Sequence, residues 1–209
     1  MARIILSALD SFLLDAWRKW CGDLSHVEVL EGSVFDVHCD ALVSPANSFG
    51  FMDGGIDAQY SDYFGKVVQD RLRLQILERH HGELLVGAAE LIETDSPDHP
   101  FLIAAPTMRV PMVLPADTVN PYLATRAALM LIREGTLADG TPVRERVRSI
   151  CFPGMGTGVG RVPAEVCARQ MRSAIEKSAV ARHSLPTSWA EASDDHQLLY
   201  TDKPKRLQY

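Results

Sequence analysis

The chain has 209 residues, of which 46% are hydrophobic and 23% are charged, an ordinary globular composition that suffices for one domain with a substantial core. Its formal net charge is -6, whereas proteins that bind duplex nucleic acid usually carry a strongly basic surface. The longest apolar runs are too short or too interrupted to span a bilayer, and Asp10 interrupts the first apolar segment, so we expect neither membrane binding nor a signal peptide.

Hydrophobic periodicity predicts strands that alternate with helices. In chain order the predicted strands are Arg3–Leu9, His26–Leu30, Asp40–Ser44, Leu85–Ile92, Phe101–Ala105 and Val147–Phe152. The predicted helices are Ser11–Cys21, a long helix from Asp57 to about His81, Pro121–Glu134 and Pro163–Val180. This alternation is typical of a three-layer α/β/α domain around a central mixed, largely parallel sheet. We expect a single domain over residues 1–183 and, because the pattern fades after Ser184, a C-terminal extension over 184–209 of uncertain fold.

Two glycine-rich segments each follow a predicted strand and precede a predicted helix. In this arrangement backbone N–H groups and a helix N-terminus converge on one point, which holds phosphate without Lys or Arg. Both segments fall at the carboxyl ends of strands, where α/β sheets bind ligands, so the pair predicts a ligand with two phosphates. The alternative is that these turns only connect strands to helices. The candidate ligand-binding residues are Gly54, Gly55, Ile56, Gly156, Thr157, Gly158, Val159, Gly160 and Arg161.

The two segments carry a resemblance to a known family. Asp40-Ala41-Leu42-Val43-Ser44-Pro45-Ala46-Asn47, followed by Gly54-Gly55-Ile56-Asp57, resembles the macro domain signature D-A-I-V-N-A-A-N with G-G-V-D after it. Ser149-Ile150-Cys151-Phe152-Pro153-Gly154-Met155-Gly156-Thr157-Gly158-Val159 is similar to the second signature, S-I-A-F-P-x-x-x-T-G-[IV]. Order and spacing agree over roughly residues 26 to 180. The resemblance implies a macro-like fold that binds ADP-ribose and, in many members, hydrolyses its derivatives.

The resemblance also implies roles for two candidate catalytic residues. Asn47 matches the position whose carboxamide contacts the distal ribose, although an Asn at this point is also a common turn former. Asp57 matches a carboxylate that orients or deprotonates a water molecule in hydrolysing members. The alternative for Asp57 is an ordinary cap at the start of a helix, a role that lowers the pKa of the carboxyl.

Several positions depart from the family pattern. Gly32-Ser33-Val34 stands where the family has G-D-I, whose Asp receives the adenine amino group. Ser33 and Val34 are therefore candidate adenine contacts, and a neutral hydroxyl in place of a carboxylate predicts loose selectivity for adenine. Arg161 follows the second glycine segment where many members carry an aromatic residue over the ribose. It either reaches the phosphates or is a solvated loop charge.

From these features the sequence predicts a protein that binds ADP-ribose or an ADP-ribosylated substrate and hydrolyses an ADP-ribosyl or O-acyl-ADP-ribose bond. A non-catalytic reader of ADP-ribose is the main alternative. An NAD-binding enzyme is disfavoured because Gly156–Gly160 lacks the G-x-G-x-x-G spacing. We expect no cofactor and no metal, since neither His80-His81 nor the Asp36–Asp40 cluster has metal-ligand spacing.

The cysteines bear on the redox compartment. Cys21, Cys39, Cys151 and Cys167 are scattered, with no C-x-x-C spacing. Cys39 and Cys151 lie in or beside strand-like runs, where a free cysteine behaves as a small hydrophobic residue. A reduced, cytoplasmic protein is the expectation.

Overall fold

The computed structural model describes residues 2–180 and 184–205, which form a six-stranded sheet and seven α-helices. The strands are β1 (Arg3–Ala8), β2 (Val27–Glu31), β3 (Ala41–Ser44), β4 (Glu90–Glu93), β5 (Phe101–Ala104) and β6 (Ser149–Phe152). The helices are α1 (Ser11–Cys21), α2 (Gly55–Phe64), α3 (Val67–Arg79), α4 (Asn120–Glu134), α5 (Val143–Arg146), α6 (Ala164–Ala179) and α7 (Trp189–Gln197). A 3-10 turn spans Val34–Asp36.

The strands lie in the order β2-β1-β6-β3-β5-β4. Every neighbouring pair is parallel except β4 with β5, which is antiparallel. Helices α1, α4 and α6 pack on one face, and α2 and α3 pack on the other. The predicted three-layer α/β/α fold with a mixed, largely parallel sheet is confirmed.

Both faces of the sheet are buried, and successive side chains alternate between them. In β1, Ile4 and Leu6 belong to the core beneath α1, α4 and α6, whereas Ile5 belongs to the core beneath α2 and α3. In β6, Ile150 and Cys151 divide between the two cores in the same way. This explains why the strands read as continuous apolar runs in the sequence.

The central pair β3 and β6 is held at its start by Asp40. One carboxylate oxygen, Oδ2, accepts hydrogen bonds from the backbone N–H groups of Arg148 and Ser149 and from the Ser149 hydroxyl, each at 2.8 Å. The register that follows pairs Ala41 with Ile150. As a result, the two strands end side by side, and the glycine segments that follow them emerge at the same edge.

Two predicted elements differ in the structure. The long helix from Asp57 to His81 is divided into α2 and α3 at Gly65, whose φ of 85° and ψ of 160° no L side chain adopts without strain. The strand predicted over Leu85–Ile92 is shorter: β4 begins at Glu90, and an isolated bridge joins Val86 to Ala88. Apolar alternation did not distinguish this irregular segment from a strand.

The region after Ser184 contains a helix that the sequence did not predict, α7. Ion pairs connect this region to α6: Lys177 Nζ lies 2.5 Å from Asp195 Oδ2, and Arg169 lies 2.5 Å from Asp202 Oδ1. The boundary expected at residue 183 and the end of the expected extension, 206–209, lie outside the described residues, as does residue 1.

Two findings bear on the expectations about membrane association and about the redox state of the cysteines. Within residues 2–180 and 184–205, none of the helices has the length and apolar character required to cross a bilayer. All four cysteines are buried and have free thiols.

The break at Gly65 can be tested by substitution. Gly65→Ala should lower the free energy of unfolding by about 1–3 kcal/mol, because the backbone conformation of this residue is essentially restricted to glycine. Gly54→Ala is the matched control, since Gly54 has ordinary extended angles (φ -143°, ψ 153°) and a Cβ there would meet no described atom within 4 Å. Chemical denaturation measures both, and equal stability of the two variants would contradict this interpretation.

Candidate functional site

A cleft of about 320 Å³ lies at the carboxyl ends of β3, β5 and β6. The segment after β3 and the start of α2 form one side, and the segment after β6 forms the other. Of the candidate residues, the cleft brings together Asn47, Gly54, Gly55, Ile56, Asp57, Gly156, Thr157, Gly158, Val159 and Gly160. The N-terminus of α2 therefore faces the second glycine segment across the cleft, as expected for a site that binds an anion through amides and a helix dipole.

The glycines that line the cleft fall into two groups, according to whether a side chain would collide with neighbouring atoms. At Gly154 a Cβ would collide with the side chain of Thr157, and at Gly160 it would lie 2.5 Å from the Gly156 carbonyl oxygen, so packing requires both. At Gly54 and Gly158 a Cβ would meet no described atom within 4 Å, and neither residue has a positive φ. Neither packing nor backbone conformation requires glycine at these two positions. The space that a side chain at Gly54 or Gly158 would occupy is instead part of the open cleft.

Asn47 lies at the base of the cleft, 7% exposed, with its carboxamide bonded to the loop that follows it. Its Oδ1 accepts hydrogen bonds from the backbone N–H groups of Phe49 (3.1 Å) and Phe51 (3.2 Å). Its Nδ2 donates to the carbonyl oxygen of Phe51 at 2.7 Å. The turn-forming role therefore exists in the structure. One hydrogen of Nδ2 is left for another acceptor, because a primary amide has two.

Asp57 is the third residue of α2 and is buried, with 8% of its surface exposed. The N-cap of α2 is Gly54, and the Asp57 carboxylate instead accepts a hydrogen bond of 2.5 Å from the Ser44 hydroxyl, at the end of β3. Burial raises the pKa of Asp57 to about 6; the bond from Ser44 opposes this rise, and the nearby charge of Asp53 adds to it. The pKa is raised, the opposite of what an ordinary helix cap produces.

Three candidate residues lie outside the lining of the cleft. Ser33 caps the 3-10 turn, where its Oγ accepts a hydrogen bond from the backbone N–H of Phe35 at 3.3 Å. Val34 is buried with 4% exposed. Arg161 is exposed and has a positive φ of 54°.

The cleft also contains residues to which the sequence assigned no role. They are Pro45, Ala46, Phe51, Asp53, Thr107, Met108, Pro111, Pro153 and Gly154. Met108 reaches the site because an isolated parallel bridge pairs it with Asn47, a long-range contact without a local signal. Ser44 was missed as the partner of Asp57; the one available signal was that Ser44 replaces the first Asn of the family's N-A-A-N.

Several titratable side chains outside the cleft form ion pairs or hydrogen bonds with protein groups. His80 Nε2 lies 2.9 Å from Glu90 Oε2. Among the described residues, no group of three or more His, Cys, Asp or Glu side chains is arranged to hold a metal ion.

The Macro domain family model matches residues 43–171. An uncharacterized protein of Aquifex aeolicus is 38% identical over 154 residues, which are 72% of this chain and 81% of that protein. The macrodomain of Mycobacterium tuberculosis DarG superposes with a TM-score of 0.56 and 19% identity, covering 69% of this chain and 86% of that one. A mutant macrodomain of Oceanobacillus iheyensis, solved with ADPR, has a TM-score of 0.56 and 18% identity, covering 69% and 73%.

The buried carboxyl of Asp57 predicts a specific dependence of stability on pH. Its pKa is about 6 in the folded protein against an ordinary value of 3.8, so its contribution to stability is complete below about pH 4 and is lost as the pH rises through 6. Asp57→Asn stays neutral, and the stability of this variant relative to the parent should increase by about 3 kcal/mol between pH 4 and pH 7.

Urea denaturation at several pH values measures this difference. The matched control is Asp62→Asn, which removes an exposed carboxylate from the same helix and should change the pH dependence little. A pH-independent difference between the parent and Asp57→Asn would show that the carboxyl is not desolvated.

Proposed function

This chain belongs to the macro domain family, and on that premise we propose that it binds ADP-ribose or a derivative in the cleft and hydrolyses an ADP-ribosyl or O-acyl-ADP-ribose bond. The structural neighbour solved with ADPR supports this ligand. The observation that carries the proposal is the pair Gly54 and Gly158, which leave open space on facing sides of the cleft. Their missing side chains let a diphosphate approach the backbone amides closely.

The diphosphate is placed between the two glycine segments. On one side it meets the first turn of α2, where the N–H groups lack partners within the helix and the dipole is positive. On the other side it meets the backbone around Gly158, with the Thr157 hydroxyl as a further donor. The distal ribose then lies over Asn47, and the second hydrogen of Nδ2 is assigned to a ribose hydroxyl.

Asp57 is assigned the activation of water. A pKa of about 6 leaves the carboxylate mostly ionised at neutral pH and a better proton acceptor than an ordinary Asp. Ser44 holds one carboxylate oxygen, which fixes the orientation of the other. In hydrolysis of an O-acyl derivative, Asp57 accepts a proton from water as the water oxygen bonds to the acyl carbon. The bond between the acyl carbon and the ribose oxygen then breaks, and Asp57 returns the proton to that oxygen, which gives ADP-ribose and the free acid.

Binding at the glycine segments should stabilise the fold. At a ligand concentration about 100 times the dissociation constant, ADP-ribose should add about 2.7 kcal/mol, or roughly 5–10 °C in Tm for a chain of this size. Gly158→Val should lose at least tenfold in affinity and keep the parent Tm, because its side chain enters the cleft.

Gly154→Val is the contrasting variant, and it should lose stability because its side chain collides with Thr157 and Leu13. Calorimetry and thermal melting measure both properties. The absence of heat and of a thermal shift at millimolar ADP-ribose would rule out the binding proposal. Parent-like affinity in Gly158→Val would place the phosphate site elsewhere.

Hydrolysis should depend on the charge of Asp57. With O-acetyl-ADP-ribose as substrate, Asp57→Asn should reduce kcat by about 10²–10⁴ while changing the affinity for ADP-ribose only slightly. The kcat of the parent should rise with pH through a value above 6, because the bound diphosphate raises the pKa of Asp57 further. Asp62→Asn, an exposed position outside the lining of the cleft, is the control and should retain turnover.

A non-catalytic reader of ADP-ribose is the alternative function. It would bind ADP-ribose with the same dependence on Gly158 but would show no turnover in the parent. Unchanged kcat in Asp57→Asn would remove Asp57 from the mechanism and leave hydrolysis to other residues.

A further inference from the structure

Several apolar side chains line the cleft. They include Phe51, Met108, Pro111 and Val159, and we call these four residues the apolar wall. Phe51 and Met108 both adjoin Asn47: the backbone of Phe51 exchanges hydrogen bonds with the Asn47 carboxamide, and Met108 pairs with Asn47 in the isolated bridge. A group that extends from a ribose over Asn47 toward Phe51 and Met108 therefore meets this wall.

Met108 connects the wall to the second glycine segment. Met108 Cε lies 3.2 Å from the position that a Cβ of Gly160 would occupy, and the Leu114 backbone N–H donates to the Gly160 carbonyl oxygen at 3.0 Å. The segment from Met108 to Leu114 thus packs against the second glycine segment. Around it, apolar side chains are open to solvent: Phe51 is 44% exposed, Val110 43%, Met112 47%, Val113 55% and Val159 54%.

The ring of Phe51 is already held in position. The guanidinium carbon of Arg73 lies 4.6 Å from the centroid of the ring, and the two hydrogen bonds to Asn47 fix the backbone that carries it. A ring ordered before binding loses little entropy when a second ring stacks against it. Aromatic pairs of this kind are more favourable than their buried area alone accounts for.

The charges of the cleft restrict what the wall can accept. Of the described residues that line the cleft, the charged ones are Asp53 and Asp57, both acidic. A carboxylate attached to the ribose would be repelled by both and would gain nothing from the apolar wall. A planar group without negative charge avoids that repulsion and buries apolar surface.

We propose that the apolar wall binds an aromatic group joined to C1″ of ADP-ribose, so that the site selects ADP-ribosyl derivatives with an aromatic attached group over those whose attached group is small or carries a free negative charge. The inference rests on the proposed binding of ADP-ribose with its distal ribose at Asn47. It identifies Phe51 as a residue that determines specificity at this end of the cleft.

The test compares three ligands by calorimetry: ADP-ribose and its 1″-O-methyl and 1″-O-benzyl glycosides, with both anomers of each glycoside. The parent should bind one anomer of the benzyl glycoside at least tenfold more tightly than the matching methyl glycoside. Phe51→Ala should bring this ratio close to one and leave the affinity for the methyl glycoside within about twofold. Phe51→Leu should give an intermediate ratio, which provides a second variant with a smaller change in volume.

Trp189→Ala is the matched control, because Trp189 is also aromatic and 54% exposed but lies in α7 and not in the lining of the cleft. It should keep the parent ratio. Tight binding of ADP-ribose with equal affinities for the two glycosides would overturn the inference and leave the proposed function intact. Failure of all three ligands to bind would overturn both. A dimer in sedimentation that Phe51→Ala dissociates would assign the wall to contact between two copies and overturn the inference.

Discussion

The pairing of β3 with β6 determines where the residues of the candidate site lie. Asp40 joins the starts of these two strands through three hydrogen bonds to one carboxylate oxygen. The parallel register that follows pairs Ala41 with Ile150 and Leu42 with Cys151. Each strand is four residues long, and this register offsets their ends by one residue, so both chains leave the sheet close together. The facing arrangement of the two glycine segments follows from this register, and it does not require contact between the segments themselves.

The buried carboxylate of Asp57 lowers the stability of the fold. Burying a carboxylate costs free energy, and the single bond from Ser44 offsets only part of that cost, as the raised pKa indicates. The fold would be more stable with a neutral residue at this position. An unfavourable ionised group within a cleft is a common property of catalytic sites, where reactivity is retained at the expense of stability.

The sequence was sufficient for the features that arise locally or from periodicity. Apolar strand runs predicted the layers, and the two glycine segments predicted the walls of the cleft. The sequence did not predict Gly65 as a break, because a single Gly within a helical pattern is compatible with a continuous helix. Met108 and Phe51 were missed for a different reason: their place in the cleft depends on a bridge and on hydrogen bonds to Asn47, which only the tertiary structure brings together.

The amide-lined cleft has a consequence for the kinetics of recognition. The protein carries a net charge of -6, and Asp53 and Asp57 lie in the cleft, so the long-range field does not draw anions toward it. In the proposed function, attraction begins only when the phosphate oxygens of the ligand come within hydrogen-bond distance of the amides. Such a site gives up electrostatic steering and a high association rate, and in return it is insensitive to the ionic strength and to the many polyanions of a cell that a basic pocket would also collect.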